Sequence, residues 1–343
     1  MHFPSQSRGS GASILCPFIN KWDKDTVSVS VLVYDTVKIV HSNGEYEEIP
    51  GRLTGVVNRR DQYDKLLSSI GNLVNLDVRV TDKHCTIRGS LSRFYHGSNL
   101  YILSRQETKA AIEQISALLG LDISYAKLTR IDVASNLIMD HPVSSYLKLL
   151  QSIPRYKKSL IGLPESPSLY FSTTQRKLLF YDKIHELRSK RVSVPAEFRE
   201  ANLLRYELRF NRHLPRQFSG KRVTCAMLYD ERFYQKLVSR WLQEYKKIRK
   251  ARKPKVGHRD ITDCRVLNSY LATIGLEKVG ADTMLDDLSI RRSSGHIGKT
   301  QHSRLKSKIS ALRSNEAHTV EHELARELDE KMQAAADYLH SQA

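Results

Sequence analysis

The chain has 343 residues, 40% of them hydrophobic, enough for one large core or two modest ones, and this marks a globular protein. Lys+Arg 55 against Asp+Glu 37 leaves a formal charge of +18, which favours a polyanionic partner, most often nucleic acid. No apolar run approaches the roughly 18 residues of a membrane span. The four cysteines (Cys16, Cys85, Cys225, Cys264) have neither zinc-site nor disulfide-framework spacing.

In chain order, residues 1–15 read as a flexible arm without the apolar core of a signal peptide, so a cytoplasmic chain is expected. Residues 27–34, 76–81 and 84–94 are β-branched and aromatic with partial alternation, which predicts strands. Residues 106–119 predict a helix whose stripe is Ala111, Ile115, Leu118 and Leu119, stopped by Gly120. A strand follows at 128–139. The order then recurs: a hairpin at 168–174 and 177–183, a helix from residue 184, and a strand at 203–211. The predicted fold is α+β, a broad antiparallel sheet with helices on one face, built from a pseudo-duplicated hairpin-helix-strand unit and followed by a mostly helical C-terminal region. Its divisions are 1–15, a domain at 16–215, a basic amphipathic helix at 216–258, and a helical accessory or oligomerisation region at 259–343.

Beyond Pro215, residues 228–250 place Leu228, Leu237, Val238, Trp241, Tyr245 and Ile248 near one helical face. Seven of the ten residues from 246 to 255 are Lys or Arg, among them Lys246, Lys247, Arg249 and Lys250. A phosphate-binding surface and a solvated linker account for such a run equally well. Short helices are expected at 259–290 and a mobile basic stretch at 291–308. In the closing helix, roughly 315–340, Val320, Leu324, Leu328, Met332 and Ala335 form a seam. Docking or self-association as a homodimer is the first reading of that seam, and packing on the chain's own domain is the second.

Side chains on a strand alternate between faces. Arg130, Asp132, Ala134 and Asn136 therefore share a face, as do Arg205, Glu207 and Arg209, and as do Lys177, Leu179, Tyr181 and Lys183. If the first two strands are neighbours, Asp132 and Glu207 converge, and hard oxygens of that kind suit a divalent cation. Pairing of each acid with its flanking arginines explains the pattern as well. Tyr181 is a poor nucleophile while protonated, with a reference pKa of about 10, so attack on phosphorus requires nearby charge or a base. Lys183 offers the charge, Glu186 a third acid, and His96 or His185 proton transfer. A packed aromatic is the plainer reading of Tyr181.

The stretches GSLSRFYHGSN (89–99), LTRIDVASN (128–136), LLFYDKIHELR (178–188) and LLRYELRF (203–210), in this order, resemble the phage and plasmid replication initiators of the gene II/X family. These are relatives of the filamentous-phage rolling-circle initiator and, more distantly, of the Rep_trans plasmid initiators. The resemblance covers about residues 20 to 215. It implies a metal-dependent nicking and closing endonuclease in which Tyr181 attacks a phosphodiester at the origin, with Lys183 beside it. Asp132, Glu207 and Glu186 would then hold Mg2+ or Mn2+. Arg130, Arg205, Arg209 and His96 would contact single-stranded or hairpin-extruded origin DNA. The 3′ hydroxyl would prime a host polymerase, with a host helicase as a further partner. The histidine, hydrophobic, histidine triplet of HUH nucleases is absent. A non-catalytic origin-binding protein, an RNA-binding protein and a conjugative relaxase-like protein are the rival readings.

Overall fold

The computed structural model describes residues 29–42, 44–101, 103–163, 166–218, 220–254, 263–313 and 319–341. The expected arm at 1–15 and the first residues of the 27–34 strand lie outside them.

Five N-terminal strands form a meander. It comprises β1 (Val29–Ser42), β2 (Thr54–Arg60), β3 (Leu66–Leu73), β4 (Leu76–Val80) and β5 (His84–Gly89). The expected strand at 84–94 ends early. Ser90 accepts a hydrogen bond from the Arg93 amide and caps α1 (Leu91–His96), which Gly97 closes at φ 76°. Ser104 and Glu107 form a reciprocal capping box at the start of α2 (Arg105–Leu119). In α2 the buried face is Thr108, Ala111, Ile112, Ile115 and Leu119, whereas Leu118 is exposed. Next come β6 (Lys127–Met139), α3 (Val143–Leu149), β7 (Leu150–Ser152), β8 (Lys157–Leu163), β9 (Ser166–Ser172) and β10 (Arg176–Asp182). They lead to α4 (Lys183–Ser189), β11 (Asn202–Phe210), α5 (Leu214–Gln217) and α6 (Glu231–Lys246).

Ten of these strands form one antiparallel sheet in the order β2-β3-β4-β5-β1-β6-β11-β10-β9-β8. The returning strands of the two expected units, β6 and β11, are central neighbours. β1 stands between β5 and β6, so the first unit is not an exact copy of the second. One face is apolar: Ile131 and Val133 of β6, Leu204, Tyr206, Leu208 and Phe210 of β11, and Leu178 and Phe180 of β10 all enter the main core. Tyr206 stacks on Phe180 at 4.5 Å and 7°, and α6 lays Trp241 and Tyr245 against Tyr206.

After α6 the chain forms β12 (Arg249–Lys250), β13 (Arg252–Pro254), α7 (Cys264–Val279), α8 (Ala281–Ser293), α9 (Lys299–Arg313), β14 (Thr319–Glu321) and α10 (Glu323–Ser341). The basic stretch expected to be mobile is the end of α8, a turn, and most of α9. Leu276, Ala281 and Ile309 give α7, α8 and α9 a small core of their own. The closing seam is turned inward: Leu328, Met332 and Ala335 of α10 are fully buried in the main core, while Val320 is exposed. Among the described residues no helix is long and apolar enough to cross a membrane.

Candidate active site

The opposite face of the central strands is polar, and its register is fixed pair by pair. Arg209 lies opposite Asp132, Glu207 opposite Ala134, and Arg205 opposite Asn136. On the other side, Tyr181 lies opposite Arg205, and Leu179 opposite Glu207. Period-two alternation on three adjacent strands thus gathers Asp132, Arg205, Glu207, Arg209 and Tyr181 on one patch. A second apolar cluster (Leu100, Ile184, Leu187, Phe198, Leu203) covers one end of this face with α4 and the loop after α1.

The Tyr181 hydroxyl donates a 2.7 Å hydrogen bond to Oε1 of Glu207. The same oxygen accepts from Nε of Arg205 at 3.0 Å, and Oε2 accepts from Nε and Nη2 of Arg209 at 3.2 and 2.8 Å. Asp132, fully buried, accepts on Oδ1 from Nε of Arg130 at 2.8 Å, and its Oδ2 pairs with Nη2 of Arg130 and lies 3.3 Å from Nε of Arg209. Arg209 therefore bridges the two carboxylates.

The sequence reading missed Asp35. The Arg205 guanidinium, fully buried, has Nη2 3.2 Å from Oδ1 of Asp35, and its Nη1 donates to the Asn136 side chain at 2.9 Å and the Asn99 carbonyl at 3.1 Å. Asn99 donates to Asp35 at 3.0 Å. Asn99 stood inside a quoted stretch, and Asn136 shared the polar parity. Asp35 gave no such signal: it lies one residue beyond the strand expected at 27–34, in a β1 whose register against β6 shifts at three places.

Burial governs the protonation of these groups. It pushes the Tyr181 phenol well above its ordinary value, the Glu207 charge pushes the same way, and Arg205 pulls against both. Burial pushes Asp132 up to about 6 despite Arg130 and Arg209. Burial also raises Asp35, but Arg205 and the Asn99 hydrogen bond outweigh it and hold that carboxyl well below the usual range. Lys183 is buried, which lowers its pKa with help from Arg205, while Glu186 opposes.

Of the remaining predicted residues, Lys183 and Glu186 border this cluster closely enough for their charges to act on Asp35, Arg205 and Tyr181, and the others stand apart from it. Lys183 opens α4 and donates to Glu186 at 2.7 Å, and Glu186 also pairs with Lys190. His96 has Nε2 3.5 Å from Glu107 at the α1–α2 junction, and His185 is exposed on α4. Most of the basic run is bound to the chain itself. Lys246 donates to Gln333, Lys247 to Glu244, and Lys250 pairs with Asp329 at 2.9 Å over the Tyr245 ring, while Arg249 is exposed. The contacts of Lys246 and Lys250 fasten α10 to the end of α6 and to β12 on the helical side of the sheet.

Asp132 and Glu207 carry the hard oxygens that Mg2+ or Mn2+ takes. All four of those oxygens already face guanidinium or phenol groups, and Arg130, Arg205 and Arg209 balance the charges of Asp35, Asp132 and Glu207. Glu186 is turned to lysines, and among the described residues no three His, Cys, Asp or Glu side chains converge on a point a cation could fill. The residues as arranged do not fit a divalent ion.

The fold and this patch define an α+β chain that brings a tyrosine, carboxylates and arginines together on the polar face of an antiparallel sheet. The chain belongs to the phage replication-associated family: the family model for the N-terminal region of the replication-associated protein encoded by filamentous-phage gene II matches residues 25–250, more than half of the chain and all of β1 through β12. A comparison with curated proteins found no match.

Proposed function

We propose that this chain is a rolling-circle initiator that nicks DNA through Tyr181. The observation that supports this best is the hydroxyl of Tyr181 held on the acceptor Glu207, with Arg205 and Arg209 on either side. Burial makes spontaneous ionisation of the phenol unfavourable. Its proton therefore leaves as attack begins, along the existing hydrogen bond to Glu207, which acts as general base. The phenolic oxygen bonds to phosphorus and the bond to the 3′ oxygen breaks. That oxygen takes up a proton, leaving a 5′-phosphotyrosyl ester and a 3′ hydroxyl. The ester conserves the bond energy, so a later 3′ hydroxyl can reverse the step and reseal the strand.

The arginines supply the electrostatics. Arg209 and Arg130 are each partly exposed at the open edge of the patch, where their donors can take non-bridging phosphate oxygens and offset the charge that develops there. Arg205 is buried and holds Glu207 in place. The 3′ hydroxyl would prime a host polymerase.

The test incubates the protein with single-stranded oligonucleotides tiling the genome that encodes it, with magnesium, manganese or a chelator. Mass spectrometry then identifies the peptide left on the DNA. A 5′ adduct on Tyr181 is expected, and none with Tyr181→Phe. Adducts that persist in the Phe variant would move the nucleophile elsewhere, and oligonucleotides bound without cleavage in every arm would leave a non-catalytic origin-binding protein.

A further inference from the structure

We infer that α7, α8 and α9 form a helix-turn-helix unit in which α9 reads the major groove of duplex DNA, a second nucleic-acid site separate from the single-strand chemistry proposed for Tyr181. The unit lies beyond residue 250, where the family match ends. Its three helices close on Leu276, Ala281 and Ile309, with Leu285, Leu288 and Leu312 packed around them. α8 and α9 are joined by the five residues 294–298, in which Gly295 takes φ 78°, a left-handed conformation that glycine adopts without strain. A short glycine-containing turn between two packed helices is how such units reverse the chain.

What distinguishes α9 is its outer surface. Ile309 and Leu312 face the small core, and every residue from 299 to 308 except the half-buried His302 is exposed. At 100° per residue, Thr300, Ser303 and Ser307 form a central outward stripe of short hydroxyl side chains. Arg304 and Lys308 flank that stripe on one side, Lys299 and Lys306 on the other. None of these four cations has an ion pair among the described residues, and α9 contains no acid; the acids of the neighbouring helix α8 are Asp282, Asp286 and Asp287.

This pattern matches duplex DNA. The small central residues let the helix approach the floor of a groove about 12 Å wide, where hydroxyls can hydrogen-bond to base edges. Cations on both flanks reach the phosphates of the two walls. The run Lys246–Lys250 has no such freedom, since three of its lysines bind other residues of the chain.

The experiment uses the full chain carrying Tyr181→Phe, so that covalent capture plays no part and the result does not depend on the nicking proposal. Binding is selected from a library of duplexes with a randomised segment of about 20 base pairs. The parent should enrich one motif. Arg304→Ala with Lys308→Ala should weaken binding to that motif at least tenfold and lower the salt slope by roughly 0.9 per lost phosphate contact. Thr300→Ala with Ser303→Ala should change the enriched motif. The charge-matched control, Lys157→Ala with Lys158→Ala on exposed β8, should keep motif and affinity, and thermal melts confirm that each variant is folded. The inference is overturned if no motif is enriched, if the α9 variants keep parental motif and affinity, or if the β8 control loses as much.

Discussion

Tyr181 and Glu207 are joined by a 2.7 Å hydrogen bond, although Tyr181 is paired across the strands with Arg205 and Glu207 with Leu179. The bond is diagonal, and it exists because Arg205 and Arg209 fix the carboxylate from both sides. Glu207→Gln keeps the shape of the side chain but removes the proton acceptor. Adduct formation should fall by about 10²- to 10⁴-fold, the usual worth of a positioned general base. The residual adduct should still map to Tyr181, whereas Tyr181→Phe should form none. Single-turnover rates on the cleaved oligonucleotide give the comparison.

Asp132 gives the reaction a pH dependence. Its carboxyl is pushed up to about 6, above an unfolded-state value of about 3.9. The folded protein therefore holds that proton more tightly than the unfolded chain. The stabilisation from this group is complete below about pH 4 and is lost as pH rises through about 6. Activity should run the other way, because only the ionised carboxylate anchors Arg130 and Arg209. Single-turnover nicking should rise with an apparent pKa near 6, and Asp132→Asn should remove that limb while lowering the plateau.

Arg205 is fully buried with Asp35, Glu207, Asn136 and the Asn99 carbonyl around it. Arg205→Ala leaves buried carboxylates without their partner and should cost about 3–5 kcal/mol in urea unfolding. Arg205→Lys should cost less, because the charge stays. It should still reduce nicking, because an ammonium lacks the fixed fork of donors that reaches Asp35 and Glu207 at once.

Much of this patch was legible before the structure. Parity on β6, β10 and β11 holds because each strand has an apolar face in the core, which leaves only one way for Arg130, Asp132, Arg205, Glu207 and Tyr181 to point. Asp35 lay one residue beyond the strand expected at 27–34, so parity was not applied to it, and β1 in fact runs on to Ser42. Parity also could not tell a cation site from an arginine-neutralised one, since both need acids on neighbouring strands and the difference lies in where the guanidinium groups turn. α1 escaped notice because Phe94 and Tyr95 suit a strand as well as a helix, and the Ser90 cap decided the matter. The closing seam was read correctly as apolar, but the pattern alone could not name the surface it meets.

Divalent ions should bind weakly while Arg209 bridges Asp132 and Glu207, because the ion must displace a guanidinium from oxygens it already neutralises. Arg209→Gln removes that charge and frees acceptor positions on both acids. Manganese affinity, followed by calorimetry, should then rise at least tenfold, equivalent to about 1.4 kcal/mol. Equal affinity in the two proteins would show that any cation binds elsewhere.

The seam of α10 makes a different prediction from the one its periodicity first suggests. Leu328, Met332 and Ala335 are fully buried beside α6, α3 and β1, and Tyr146 donates to Glu327 while Tyr245 donates to Asp329 at 2.7 Å. A helix held in this way belongs to the folding unit. Leu328→Ala should therefore open a cavity in the main core and cost about 2–5 kcal/mol. If the seam joined two chains instead, unfolding midpoints would depend on protein concentration and the substitution would shift the sedimentation profile toward a smaller species. The packing predicts a midpoint that falls with Leu328→Ala at every concentration by the same amount, with no change in sedimentation.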